Sequence, residues 1–414
     1  MARLAEHFHN INTINVSIGL SNSSSDALPT EITIHPHLIA IRTQSGSEEI
    51  LPLPARIDPK RVTRSSSGTT LNLKLPTADI RNKFKDSSNS GLELPISSRE
   101  ILDLQSIACQ FCQATLTKPA EERNEAGRRV LFKKVKDLPS EHWLELVDCW
   151  MCHEDQDFKV GEIKALPRVG LVGGTYLLLH PTDVNIEAVE LTERKTSLLP
   201  GRYWRPLTCQ RCLSPLGEAL FECSALEENL EQASEPKLVT LKFNKYFIQI
   251  DVVDSSRDCE LVSFRPSFKP FIAHDFLEAA RAHATYRFII EGQETKKPYL
   301  TIWIFNPFIH IMATAAGSIV EATSGLSSYI ANDFLSSSSR YRKVMKILYT
   351  DCTDRQDEKV KKILKQFSGD KQVERFYYND DLCKRILLML RLSTQYLPPD
   401  GRVINGFQVG FLDY

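Results

Sequence analysis

The 414-residue chain has almost no excess charge of either sign and lacks the motifs of several common enzyme classes. It carries 51 lysines and arginines against 52 aspartates and glutamates, so neither nucleic acid nor a membrane surface is indicated as a general partner. It has no phosphate-binding loop, no metalloprotease helix and no Ser-His-Asp set, which excludes the classes that those motifs define. We therefore expect no direct binding of nucleic acid.

Long hydrophobic runs are also scarce. The first twelve residues contain no apolar run, so we expect no secretory signal peptide. Residues 298–320 carry no formal charge and are long enough to span a bilayer. Asn306 and Pro307 interrupt this segment, however, so we expect a buried strand followed by a turn and a short helix, and no membrane span.

What the chain does have is cysteine. Without a secretory signal the ten cysteines are expected to stay reduced, which favours metal or thiol chemistry over disulfides. Six of them form three C-x-x-C doublets, a spacing that lets two thiolates from one tight turn reach a single tetrahedral ion. The two outer doublets share the pattern C-Q-x-C. We predict that they hold one structural Zn²⁺ through Cys109, Cys112, Cys209 and Cys212.

Two alternatives to this zinc site remain open at the level of sequence. Free cysteine behaves as a small hydrophobic residue, so the four residues could be separate buried thiols. A second possibility is a zinc site in which the middle doublet replaces one of the outer pairs.

The middle doublet lies in a segment of different character, residues 141–155, with the sequence EHWLELVDCWMCHED. Ser140 follows a proline and can cap a helix that begins here. The inward face of that helix is predicted by apolar residues at positions i, i+3, i+4 and i+7. These residues are Trp143, Leu146, Val147 and Trp150.

The metal-ligating residues of this segment fall at the end of the predicted helix. Cys149, Cys152 and His153 lie in its last turn or just beyond, where the helix dipole and acidic neighbours disfavour a free thiolate. A metal ion deprotonates a coordinating thiol outright, so the segment is compatible with binding a zinc ion that belongs to a partner. The alternative is a core cluster of tryptophan, methionine and cysteine side chains, in which the two cysteines simply pack.

Hydrophobic periodicity predicts an α+β protein with three portions. Residues 1–91 form a β-rich portion, because apolar residues such as Leu71, Leu73 and Leu75 alternate with polar ones. Residues 92–235 form a zinc-knuckle middle that contains the doublets. Residues 236–414 form an α/β portion. Its predicted strands lie at 239–243, 299–305, 344–349, 373–378 and 407–411, and its predicted helices at 275–284, at 357–367 and from 380.

Several short segments, in this order, resemble the ubiquitin-conjugating-enzyme-binding proteins with a HECT-like domain. The matching pieces are LPLPARI at 51–57, the C-Q-x-C doublets, W-x-C-H at 150–153 and the ending GFQVGFLDY. The resemblance implies a ubiquitin-protein ligase-like protein of cytoplasm and nucleus that binds a ubiquitin-conjugating enzyme (E2), which we expect to occur through its C-terminal half.

The same resemblance carries an alternative function in messenger-RNA 3′-end processing. It implies a non-catalytic assembly or regulatory factor that binds the zinc endonuclease of the cleavage and polyadenylation machinery. In that interpretation Cys152 and His153 of the W-x-C-H segment meet the partner's zinc, with Cys149 and Trp150 beside them.

Ubiquitin transfer through a thioester would require a reactive cysteine, which a true HECT domain places in a short loop near the end of the chain. The candidates are Cys352 and Cys383. Cys383 lies in a predicted helix, which suits burial. Cys352 lies in a loop that we expect to be more accessible, although Asp351 and Asp354 oppose its ionisation. Cys352 is therefore the predicted catalytic residue, but neither cysteine matches a HECT catalytic motif, so intrinsic ligase activity is doubtful.

Overall fold

The computed structural model describes residues 3–20, 29–43, 46, 48–78, 94–125, 127–140, 164–192, 196–199, 202–223, 236–254, 260–314 and 342–414. The chain folds into two compact units. Unit 1 combines residues 1–92 with residues 283–414, and unit 2 consists of residues 93–282. The division differs from the three predicted portions, because the two ends of the chain belong to the same unit.

The N-terminal segment is built of strands, as its alternating apolar pattern predicts. Leu73 and Leu75 are buried, which is the expected result when every second side chain faces a core. The strands are β1 (Arg3–Phe8), β2 (Thr13–Gly19), β3 (Pro29–Ile34), β4 (Leu38–Thr43), β5 (Glu48–Pro52), β6 (Thr63–Ser67) and β7 (Thr70–Pro76).

The described part of unit 2 also consists mainly of strands, and these are followed by a helix. The strands are β8 (Leu104–Cys109), β9 (Glu122–Arg123), β10 (Arg129–Val130), β11 (Lys134–Asp137), β12 (Val169–Val172), β13 (Tyr176–Leu179), β14 (Val189–Leu191), β15 (Thr196–Leu199), β16 (Arg202–Cys209), β17 (Pro215–Glu222), β18 (Lys237–Asn244), β19 (Ile248–Asp254) and β20 (Glu260–Phe264). The helix is α1 (Lys269–His283).

The C-terminal segment alternates strands and helices, as predicted. Its elements are β21 (Arg287–Gly292), β22 (Pro298–Thr314), β23 (Arg342–Asp351), α2 (Glu358–Gly369), β24 (Glu374–Tyr378), α3 (Asp380–Thr394), β25 (Val403–Ile404) and β26 (Phe407–Asp413). The side chains of Asp357 and Asn379 cap α2 and α3 by accepting hydrogen bonds from backbone N–H groups of the first turn.

One ten-stranded sheet organises unit 1. Its main path runs β25-β26-β23-β22-β1-β2-β7-β6, and β21 pairs with both β22 and β24. The N-terminal strand β1 lies antiparallel to β22, so that Ala5 stands opposite Met312. Leu4 and Ala5 belong to different hydrophobic clusters, because successive residues of a strand face opposite sides of the sheet. Both faces of this sheet are therefore covered.

The long strand β22 corrects one prediction. We expected a strand that ends at Asn306 and Pro307 and continues as a turn and a short helix, but the strand runs on to Thr314. The pairing with β23 shifts register between Ile304 and Asn306 and again between Asn306 and Ile309. These bulges accommodate Pro307, which has no N–H to donate to a neighbouring strand. In the described part of the chain, no helix has the length and apolarity needed to cross a membrane.

Unit 2 contains an eight-stranded sheet and a three-stranded sheet. The larger sheet runs β11-β12-β13-β18-β17-β16-β14, with β15 also paired to β16, and the smaller runs β20-β19-β8. One hydrophobic cluster includes residues of both sheets, among them Ile107, Leu207 and Phe243. Cys109 and Cys209 also belong to it. The two strands that carry these cysteines, β8 and β16, thus deliver them to one core.

Candidate functional site

The two outer cysteine doublets form turns with the same backbone hydrogen bonds. At the end of β8, the N–H of Gln113 donates to the carbonyl oxygen of Cys109 (2.9 Å), and the N–H of Cys109 donates to the carbonyl oxygen of Ala114 (2.9 Å). Both bonds recur after β16, where Leu213 donates to Cys209 (2.8 Å) and Cys209 donates to the following serine (2.9 Å). The shared C-Q-x-C pattern is therefore a shared local structure.

Each turn reverses direction through a residue with left-handed backbone geometry. Gln113 has φ of 62° and Leu213 has φ of 59°. This conformation costs a non-glycine residue about 1 to 2 kcal/mol, and it is tolerated where the surrounding structure fixes it. The reversal comes after the second cysteine and returns the chain toward the first, so that the next residue accepts a hydrogen bond from the N–H of Cys109 or Cys209.

The four sulfur atoms converge on one point. All of them lie within 4.8 Å of one another. Cys109 Sγ is 3.7 Å from Cys212 Sγ, and Cys112 Sγ is 3.5 Å from Cys209 Sγ. In a tetrahedral site with Zn–S bonds of about 2.3 Å, neighbouring sulfur atoms are about 3.8 Å apart. The four thiols are therefore not separate from one another, and the cluster has the donor set and the spacing that a tetrahedral metal ion needs.

The four thiols differ in how readily they ionise. Burial raises the pKa of Cys109 and of Cys209. Burial also acts to raise the pKa of Cys212, but hydrogen bonds from Ser214, together with contacts to the neighbouring thiols, outweigh it and lower that pKa to about 7. Cys212 Sγ lies 3.3 Å from Ser214 Oγ. One thiol is therefore ready to ligate a cation near neutral pH, and a bound cation would draw the protons from the others.

The structure places both cysteines considered for ubiquitin transfer in the interior of unit 1. Cys352 follows β23 directly, its N–H donates to the carbonyl oxygen of Tyr299 (2.9 Å), and its side chain is fully buried. The accessibility expected of Cys352 is therefore wrong, since the backbone at this position continues the pairing of the sheet. Burial raises the pKa of Cys352 to about 12. Cys383 is fully buried in α3, as expected, and burial raises its pKa to about 12 as well.

The W-x-C-H segment lies outside the described residues, which resume at residue 164. The predictions for Cys149, Trp150, Cys152 and His153 therefore stay predictions, and so does the zinc site in which the middle doublet replaces an outer one.

A cluster of three histidines in unit 1 was not anticipated. His7 of β1 is the cross-strand partner of His310 of β22, and His9 Nε2 lies 2.5 Å from His310 Nδ1. Burial, followed by repulsion from the neighbouring imidazoles, lowers the pKa of His7 to about 4. Burial and the charges of His9 and Lys343 lower the pKa of His310 to about 4. Sequence alone could not reveal this cluster, because His310 lies some three hundred residues from His7 and His9.

Comparison with known proteins identifies the family to which this chain belongs. The chain belongs to the HECT-like ubiquitin-conjugating enzyme (E2)-binding family, whose model matches residues 6–409. Among curated relatives, an E3 ubiquitin-protein ligase of Homo sapiens is 26% identical over 412 residues, which cover 95% of this chain and 93% of the relative. The ligases of the same name from Pongo abelii and Mus musculus are 25% and 24% identical, with the same coverage. No solved structure gives a significant match.

These findings confirm the resemblance that the order of the short segments indicated. Family membership also supports a ubiquitin-conjugating enzyme as the partner class. Neither the family description nor the names of the relatives mention an mRNA endonuclease, so that partner stays a prediction.

Proposed function

We propose that this protein is a ubiquitin ligase-like protein that binds a ubiquitin-conjugating enzyme and promotes transfer without carrying ubiquitin on Cys352 or Cys383. The observation that carries the proposal is the family match, which spans residues 6–409 and is defined by E2 binding. The names of the relatives support the ligase-like activity.

The burial and the raised pKa values of the two C-terminal thiols, Cys352 and Cys383, argue for direct transfer of ubiquitin from the E2 to a substrate. A thioester relay begins when a thiolate attacks the carbonyl carbon of the E2–ubiquitin thioester and the E2 thiolate leaves. With a pKa of about 12, only roughly one Cys352 thiol in 10⁵ is ionised at pH 7. The side chain is also fully buried. In direct transfer a substrate amine attacks the same carbonyl, and the ligase contributes binding and orientation.

A single-turnover discharge assay tests this proposal. An E2 charged with ubiquitin is mixed with the full chain, and ubiquitin adducts are separated with and without thiol reductant. We expect E2 binding, and no reductant-sensitive adduct on the chain. A Cys352→Ala/Cys383→Ala variant should discharge the E2 at the wild-type rate. A reductant-sensitive adduct that disappears in this variant would contradict direct transfer.

We further propose that Cys109, Cys112, Cys209 and Cys212 hold one structural Zn²⁺. Four thiolates in tetrahedral array are typical of closed structural zinc sites, which leave no open position for substrate. The ion would supply no chemistry to ubiquitin transfer. It would instead join the end of β8 to the end of β16, since Cys112 and Cys209 are 97 positions apart in the sequence.

The alternative function, capping of a partner's zinc by Cys152 and His153, depends on residues outside the described part of the chain. It is tested separately by pull-down of the endonuclease with wild type and with Cys152→Ala. Loss of capture in the variant would support that function, and unchanged capture would count against it.

A further inference from the structure

Three large exposed apolar residues belong to the chain segments that form or adjoin the two cysteine turns of unit 2. Phe111 lies within the first doublet and is 43% exposed, and Leu213 follows the second doublet and is 65% exposed. Ile186 is 42% exposed. We call Phe111, Ile186 and Leu213 the knuckle patch. Exposed large apolar groups that gather at one place mark interaction sites more often than single ones do.

Backbone hydrogen bonds hold Ile186 beside both cysteine turns. It begins a 3₁₀-helix, Ile186–Ala188. On one side, the N–H of Asn185 donates to the carbonyl oxygen of Leu116 (2.8 Å), four residues beyond Cys112. On the other side, the carbonyl oxygen of Ala188 accepts from the N–H of Gln210 (3.0 Å), within the second doublet. The three members of the patch thus come from three separate segments of the chain that are tied together.

Hydrogen bonds within unit 2 hold the backbone that carries the patch. Phe111 and Leu213 each neighbour a cysteine of the cluster, so a bound metal ion would immobilise the backbone that carries them. Arg211, an exposed residue of the second doublet, donates from Nη1 to the carbonyl oxygen of Cys112 (3.5 Å) and adds a positioned cation. Arginine is enriched at interface hot spots and phenylalanine is enriched in interfaces generally, and little ordering entropy is lost when such groups are already held.

The size of the patch indicates what kind of partner it fits. With about 200 Å² for a large apolar side chain, the exposed fractions correspond to roughly 300 Å². A stable interface buries about 800 Å² on each partner. The patch is therefore too small to be the core of a permanent dimer of this chain. It suits the hot spot of a transient contact, which is what an E2 requires if it must leave after each transfer.

We propose that the knuckle patch is the surface on which this protein docks its ubiquitin-conjugating enzyme. The inference rests on the proposed function, and it places the E2 on unit 2, whereas the sequence favoured the C-terminal half. Apolar side chains of the E2 would cover Phe111, Ile186 and Leu213, and Arg211 would lie at the edge of the contact. The metal ion acts here as a positioning element and touches neither ubiquitin nor the E2.

The test measures binding of uncharged E2 to the full chain by biolayer interferometry, against a panel of purified ubiquitin-conjugating enzymes. The main variant is Phe111→Gln/Leu213→Asn, because asparagine tolerates the left-handed backbone at position 213. Ile186→Asn removes the third apolar group without altering a cysteine turn. Leu261→Asn, at an exposed position of β20, is the matched control within the same unit. Tyr286→Asn, at an exposed position of unit 1, tests the C-terminal half.

We expect the double variant and Ile186→Asn each to weaken E2 binding at least tenfold, mainly through faster dissociation. Leu261→Asn and Tyr286→Asn should bind within twofold of wild type, and all variants should keep the metal content of wild type. Wild-type binding that survives in both patch variants would overturn this surface while leaving the proposed function intact. So would loss of binding in Tyr286→Asn alone. If wild type binds no E2 in the panel, the proposed function fails and the docking surface fails with it.

Discussion

Burial raises the pKa of Cys109 and of Cys352 alike, yet the two residues are suited to different tasks. Cys109 has three other thiols within 4.8 Å, so a cation bound by all four can offset the free energy needed to ionise it. Cys352 contacts the carbonyl oxygen of Thr350 at 3.5 Å, a group that stabilises a thiol and not a thiolate. The same residue type is thus a ligand in one environment and a packing group in the other, and neighbours decide which.

The histidine cluster makes the stability of unit 1 dependent on pH. The folded-state pKa of His7 and of His310 is about 4, below the ordinary value of 6.5. As pH falls from about 6.5 to 4, the unfolded chain therefore binds protons that the folded chain does not. Stability should be unaffected by these groups above pH 7 and should fall through that window, by about 1 to 3 kcal/mol for each histidine.

Urea denaturation at pH 7.5, 5.5 and 4.5 measures this dependence. His310→Gln should flatten it, because glutamine keeps hydrogen-bonding groups but does not titrate. His35→Gln, at an exposed position of the same unit, is the control and should leave the slope unchanged. Equal slopes for wild type and His310→Gln would show that the cluster does not govern acid sensitivity.

Among the elements of unit 1, the stability of helix α3 depends on hydrogen bonds made at its N-terminus. The Asn379 side chain accepts a hydrogen bond from the N–H of Asp381 (3.0 Å) and donates to Glu294 Oε1 (2.6 Å), and Glu294 Oε2 accepts from the N–H of Asp380 (2.7 Å). The cap thus also ties the helix to the turn that follows β21. Asn379→Ala should lower the free energy of unfolding by about 1 to 2 kcal/mol, since it removes a helix cap.

Asp354→Ala is the matched comparison for Asn379→Ala. The Asp354 carboxylate accepts a similar short-range bond from the N–H of Gln356 (3.0 Å), but in an exposed loop that precedes α2. A change within about 0.5 kcal/mol is expected there. Equal losses for the two variants in urea denaturation would mean that the cap contributes nothing specific.

Local patterns in the sequence were sufficient to predict α2, α3, β23 and β26. Hydrophobic periodicity and helix-capping residues depend only on residues a few positions apart. Local patterns were insufficient for β22. Pro307 indicated a break, and only pairing with β23 on one side and β1 on the other keeps the strand continuous to Thr314. Tertiary hydrogen bonds there override a local signal.

For the whole molecule, the difference between local patterns and tertiary contacts also explains which parts of the site could be predicted from sequence. The spacing within each doublet defines a local turn, so the two outer turns could be predicted from sequence, and the structure brings their four cysteines together. The apolar surroundings could not be predicted, because Ile186 meets the two turns only through hydrogen bonds to distant residues. The joining of residues 1–92 with residues 283–414 in one unit was equally invisible.

The zinc proposal has its largest consequence for unit 2 as a whole. Purified wild type should contain one equivalent of zinc, and Cys109→Ser should contain none. A bound ion would close a loop of about 100 residues, and cross-linking a loop of that length restricts the unfolded chain by about 4 to 5 kcal/mol. Loss of zinc should therefore destabilise unit 2 by at least that order, and amide exchange in β8 and β16 should accelerate.

Two further variants distinguish the site formed by the outer doublets from a zinc site that uses other cysteines. Cys223→Ser changes a half-buried thiol that packs against the same core, and it should retain one equivalent of zinc because Cys223 is not part of the cluster. Cys149→Ser/Cys152→Ser should also retain it if the outer doublets alone form the site. Zinc retained in Cys109→Ser, or lost when the middle doublet is changed, would contradict the four-thiolate assignment. In the second case a shared site built from the middle doublet would replace it, and the W-x-C-H segment would then be a structural staple of this chain rather than a surface for a partner's metal.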